Sequence, residues 1–183
     1  MNIIIAHERV GTIDESIRSN VHLVNNVTRF HDDVKLIFST MWTKISLSNA
    51  RYIESSMNDF RIIKYKGSKL STEVYNKLHE DCLVFIKAEI ESDFKGKTVV
   101  TTHHIPTFKN YPEQFKGDVL NEAFAVELHD YIAQSRVSCW IYGHHHSNIP
   151  DYKIGNTLML TNQLGYVKYG EHRTFRPDKA IEL

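Results

Sequence analysis

The 183-residue sequence predicts a mixed α/β (α+β) fold in a single domain. Three observations predict it. Short β-branched runs cluster near the front of the chain. Two segments carry apolar residues at helical spacing. Those segments then alternate with further strands. No internal repeat, low-complexity tract or linker divides the chain, and its length is enough to bury a sizeable core.

The elements follow in order. In "VHLVNNVTRFHDDVKLIFSTMW" (21–42), "VHLV" and "VTRF" flank Asn25-Asn26. His31-Asp32-Asp33 then supplies a second turn before "VKLIFST", which reads as a β-meander. Residues 43–70 have weak periodicity and read as a long loop with some helix around "SNARYIESSMNDF". Ser71 is placed as the N-cap of an amphipathic helix in which Val74, Leu78, Cys82, Phe85, Ile86 and Ile90 fall on one stripe. "FKGKTVVTT" is a glycine turn and a β-branched strand over 98–102. The loop "HHIPTFKNYPEQFKGD" follows it. Asp118 can cap a second helix with Leu120, Ala123, Phe124, Leu128, Tyr131 and Ile132 on its apolar face. "SCWIYG" reads as a buried strand ending at Gly143, and "NTLMLTN" and "KAIEL" as the last strands.

Composition bounds the function. Lys+Arg and Asp+Glu are 22 each, so bulk charge does not point to nucleic acid or to an anionic membrane. Cys82 and Cys139 lie in apolar segments outside any CxxC pair and read as two buried thiols, with a disulfide as the alternative. No run approaches the length of a membrane span, and "MNIIIAHERVG" lacks a basic n-region and a cleavage site. The expected location is the cytoplasm.

Eleven histidines make a metal or acid–base site worth seeking. Two clusters stand at equivalent places. His103-His104 directly follow "TVVTT", and His144–His146 directly follow "CWIY" and Gly143. A strand–helix–strand order makes the two strands parallel neighbours, so both clusters emerge at one sheet edge, where α/β proteins build their sites. Neutral imidazole binds Zn, Mn, Fe or Ni near neutral pH. After the turn at Gly143, His144 and His146 can face a common side while His145 points elsewhere. Histidines 22, 31, 79, 129 and 172 are scattered and read as structural or solvated.

"VVTTHHIP" and "WIYGHHH" together resemble the strand–His and G-H-x-H blocks of the calcineurin-like metallophosphoesterase superfamily. "NVHLVNN", "MNDFRIIKY" and "GDVLNEAF" also resemble segments of small bacterial members. The resemblance implies that family's layered β-sandwich flanked by helices. It also implies a hydrolase acting on a phosphomonoester or phosphodiester with two divalent ions (Mn, Fe, Zn or Ni) and a metal-activated water. His103, His144 and His146 are the implied metal ligands. His104 is the implied substrate-side or ligand-supporting residue, and His145 fills the variable position.

The family pattern is incomplete here. Its D-x-H and G-D-x-x-D blocks are absent from the chain, which is therefore expected to lack the family's N-terminal portion. "IIIAHERVGTIDES" resembles the stretch around G-N-H-E, with His7-Glu8 at the H-E and Ile5-Ala6 in place of Gly-Asn. On that alignment His7 is a catalytic candidate, and an exposed N-terminal histidine is the other reading. Two imidazoles for one ion and one for the other, without carboxylates, bind a metal weakly. A single ion on all three imidazoles is the other arrangement. Loss of neighbouring strands is expected to leave "TVVTT" or its partner as an exposed edge. That edge predicts self-association or pairing with a complementing fragment. The alternative to an enzyme is a non-catalytic remnant serving as a binding or oligomerising module.

Overall fold

The computed structural model describes residues 12–183. Their main element is a mixed six-stranded sheet. The strands are β1 Ile13–Arg18, β2 Val21–Asn25, β3 Val27–His31, β4 Val34–Ser39, β5 Lys64–Tyr65, β6 Ser68–Lys69, β7 Lys97–Thr102, β8 Cys139–Ile141, β9 Tyr152–Ile154 and β10 Thr157–Leu160. The sheet order is β3-β4-β7-β8-β10-β9, with β1-β2 and β5-β6 as separate two-stranded ribbons. The helices are α1 Ala50–Ser56, α2 Asp59–Ile62, α3 Thr72–Glu91 and α4 His129–Gln134. Mixed α/β architecture is therefore what the chain adopts. Among the described residues, no helix is long and apolar enough to cross a membrane.

The strand–helix–strand order sets the sheet centre. β7 pairs in parallel with β4 on one side and β8 on the other, with Val99 opposite Cys139 and Thr101 opposite Ile141. Strands buried on both faces read as continuous β-branched runs, and β7 does so at Val99 and Val100. One face of the sheet packs Ile37, Val100, Trp140 and Met159 against Ile86 of α3 and Ile132 of α4. The other face buries Val99, Cys139 and Leu160, with Ile181 of the C-terminal segment against them. Both cysteines are buried free thiols.

Ser71 caps α3 as its position predicts: its hydroxyl accepts from the Val74 N–H at 3.3 Å. Four expectations need correction. The strands of 21–39 do not form one meander, because β2 pairs with β1 and only β3–β4 join the main sheet. Asn26, at φ 52°, sits where the chain passes from one sheet to the other. The second helix is broken. Asp118 caps only a short 3-10 turn, Val119–Ala123, and Ala125 then bridges to Ile105 before α4 begins. "KAIEL" forms no strand, although Ile181 still packs on the sheet. β7 and its partner β4 are interior strands, and β3 and β9 are the edges among the described residues. The exposed edge that motivated self-association is therefore not there.

Candidate active site

The parallel β7–β8 register delivers both histidine clusters to one place. Beyond the paired residues, the Gly143 N–H donates to the His103 carbonyl at 3.2 Å, stitching the two loops together. Thr102, the last residue of β7, works at the same seam. Its hydroxyl donates to the His104 carbonyl at 2.8 Å and accepts from the indole N–H of fully buried Trp140 at 3.1 Å. The turn after Gly143 is tight enough to put two non-glycine residues in the left-handed region, His144 at φ 78° and His146 at φ 54°. Such backbone costs about 1–3 kcal/mol per residue and persists where the surroundings hold it.

The surroundings that hold the turn come from farther along the chain. The Gln163 side-chain oxygen accepts from the His146 N–H at 2.8 Å, and its amide donates to the Ser147 carbonyl and to His145 Nδ1, both at 2.9 Å. His146 Nδ1–H donates to Glu171 Oε2 at 3.0 Å, and the same carboxylate accepts from the Tyr166 N–H. Glu171 thus fixes the His146 ring through Nδ1 and leaves Nε2 as the nitrogen free of it, the arrangement of carboxylate–histidine pairs at metal sites. Gly165 makes this possible. At φ +61° it tolerates the backbone, and a Cβ there would stand 2.5 Å from Glu171 Cβ and 3.2 Å from His146 Cβ.

The three histidines named from the sequence meet in one cavity of about 550 Å³. The ring centroids of His103 and His144 are 4.5 Å apart, and Phe124 lies against the His144 ring at 4.4 Å. His103 lines the cavity and is exposed there. Burial, followed by the nearby His146, pushes its pKa below the ordinary value. Burial pushes His144 well below it, with the neighbouring imidazoles adding to the effect. Both rings are therefore neutral at pH 7 and carry free electron pairs. His144 Nε2 is buried with no hydrogen-bond partner, a cost that a native structure seldom leaves unexplained.

His104 lies elsewhere. It is 3% exposed and is not on the cavity wall. Its Nδ1–H donates to the Thr40 carbonyl at 3.1 Å, and its Nε2 stands 3.2 Å from the Tyr75 hydroxyl. Burial pushes its pKa down to about 3. A substrate-side role does not fit this placement, because both nitrogens are occupied and substrate cannot reach the ring. His104 instead ties the loop after β7 to β4 and α3. His145 lines the cavity too, but its ring nitrogen is turned to Gln163 and its ring to Tyr111 and Tyr142. His7 lies outside the described residues. Lys109 and Lys116 of the loop after β7 do not line the cavity, although Tyr111, Phe115 and Asp118 of the same loop do.

Among the described residues, no three His, Cys, Asp or Glu side chains stand at ready metal-ligating spacing. The donor chemistry nevertheless fits a divalent ion. There are two adjacent neutral imidazoles, one with an orphaned nitrogen, and a third with its metal-facing nitrogen set by a carboxylate. Sequence reading missed Gln163, Glu171 and Tyr166, which come from a stretch without a motif, and Asp59, within "MNDFRIIKY". The one available signal was the glycine-bracketed "GYVKYGE" segment.

No family model matches this chain, and no solved structure matches it. It is similar to uncharacterized protein L509 of Acanthamoeba polyphaga mimivirus, at 30% identity over 175 residues. The match takes in 90% of this chain, which spans 61% of the length of that relative.

Proposed function

We propose that this chain is a metal-dependent phosphoesterase of the calcineurin-like superfamily, hydrolysing a phosphomonoester or phosphodiester. On this reading the six-stranded sheet is one layer of that family's sandwich. The cytoplasm is the compartment, which suits two buried free thiols. The observation that carries the reading is the meeting of His103, His144 and His146 in one cavity with His144 Nε2 left without a partner.

Charge supports it. The cavity wall holds Asp59 and Asp118 and neither lysine nor arginine, while His103 and His144 are held neutral. An anionic ester entering such a cavity is repelled unless cations are held there first. On this reading His103 and His144 would hold one ion, and His146, buttressed by Glu171, a second. Divalent ions at these nitrogens supply Lewis-acid activation of water and neutralise charge on the phosphoryl oxygens. The protein's own part is to keep His103 and His144 unprotonated, to orient His146 through Glu171, and to screen the site with Phe124 and Tyr166.

The test is hydrolysis of a generic aryl phosphodiester with added Mn, read together with bound-metal content, in the wild type and in His146→Ala. Metal-dependent turnover lost in the variant is the expected result. Turnover unchanged in the variant overturns the histidine site. The second reading, a non-catalytic binding module, draws on the lack of a ready three-ligand group among the described residues. It predicts neither turnover nor bound metal.

A further inference from the structure

We infer that the cavity beside the three histidines holds the flat ring of a nucleotide, with Tyr166 as its stacking face and Asp59 as acceptor for an exocyclic amino group. This rests on the phosphoesterase reading and names the substrate class for it.

Size is the first observation. A bare phosphoryl group leaves most of a cavity of about 550 Å³ empty, whereas pockets of this order hold whole small ligands. The lining is the second. Away from the imidazoles the wall is largely aromatic and apolar, with Tyr111, Phe115, Phe124, Leu120 and Tyr166. Tyr166 is 54% exposed, although it stands at the mouth of a buried site with its ring 4.7 Å from that of His146. Tyr169, itself 69% exposed, crosses it edge-on at 6.0 Å. The glycines at 165 and 170, both in the left-handed region, bracket this pair and present it to solvent. A solvent-facing aromatic beside a phosphoryl site is a surface on which a base can stack.

The polar edge is the third observation. Asp59 faces the same cavity, and no hydrogen bond or ion pair engages its carboxylate among the described residues. Burial without a partner raises its pKa. Asn58 beside it makes no cap bond to α2 and lines the same wall. A free carboxylate and a free amide side by side match the donor–acceptor edge of a base better than they match a phosphate, which the carboxylate repels. The hydrophobic wall, the exposed ring and the unpartnered carboxylate are each unneeded for phosphate alone. Together they suit one ligand.

The experiment uses the full chain without added metal, so that ring binding is read apart from catalysis. Calorimetry measures adenosine, purine riboside (which lacks the amino group) and ribose. Adenosine is expected to bind, purine riboside more weakly, and ribose not at all. Tyr166→Ala should weaken adenosine at least about fivefold, the low end for a lost base–aromatic stack. Tyr166→Phe should bind as the wild type does, and Asp59→Ala, which removes the acceptor, should erase the preference for the amino group. Both positions are outside the core, so the variants fold. Adenosine binding no better than ribose, or binding insensitive to both Tyr166→Ala and Asp59→Ala, overturns the inference. Nucleoside binding without aryl phosphodiester hydrolysis leaves the ring site standing and removes the phosphoesterase reading. Hydrolysis without nucleoside binding does the reverse. A free nucleotide and a strand end share this chemistry. Stronger competition by adenosine 5′-monophosphate than by a hexadeoxyadenylate strand identifies the first, and the opposite order identifies the second.

Discussion

Glu171 and Gly165 act as a pair. The carboxylate orients His146, and the glycine is the only residue that leaves room for it. Gly165→Ala adds a Cβ against Glu171 and puts a side chain at φ +61°. It should cost about 1–2 kcal/mol for the left-handed backbone alone, and it should break the Glu171–His146 bond. Thermal denaturation reads the first effect, and the histidine side-chain NMR signals read the second. An unshifted His146 resonance contradicts the pairing. Glu171→Gln is milder. The fold should survive, and metal affinity should fall about 10- to 100-fold, as when such supporting partners are removed elsewhere. Titration with Mn or Zn checks it, and unchanged affinity would show that His146 needs no buttress.

At the scale of elements, the site depends on how β7 and β8 end. Thr102 holds both the His104 carbonyl and the Trp140 indole, so it couples the loop carrying His103 to the strand that leads to His144. Thr102→Val keeps the shape but strands the buried indole N–H, which should cost about 1–3 kcal/mol in urea denaturation. A loss below the measurement error would mean that the indole finds another partner. This seam was largely legible in the sequence. The strand–helix–strand order and the two histidine runs were enough to place His103 beside His144, because parallel neighbours put their carboxyl ends on one edge. The supporting shell was not legible. Gln163 and Glu171 reach the turn from 17 and 25 residues beyond His146, out of an irregular segment with no period to read. The break in the second helix was hidden for a related reason. Its apolar residues keep helical spacing, but Ala125 pairs with Ile105, and that contact outweighs local propensity. His104 was a site candidate through its place in the strand–His block, and only the tertiary fold shows both of its nitrogens taken.

For the whole molecule, the buried neutral histidines set a pH dependence. His104 has its pKa pushed down to about 3 and His145 to about 4, against an ordinary 6.5, and burial lowers His79 as well. Below 6.5 the unfolded chain takes up protons that the native state refuses. Stability should therefore be level above that value and fall as pH drops toward about 4, by up to about 1.4 kcal/mol per pH unit for a fully buried ring such as His104. Urea midpoints across pH 4–8 check this, and a flat profile contradicts the neutral burial of these rings. The same neutrality makes His103 and His144 available to a cation, which is where fold and function join. The most direct measurement of that claim is the metal content of the purified chain after equilibration with Mn, paired with aryl phosphodiester hydrolysis, in the wild type and in His144→Ala. The account predicts at least one bound ion per chain and metal-dependent turnover, both lost in the variant. A wild-type chain that binds no metal, or turnover unaffected by the substitution, contradicts it.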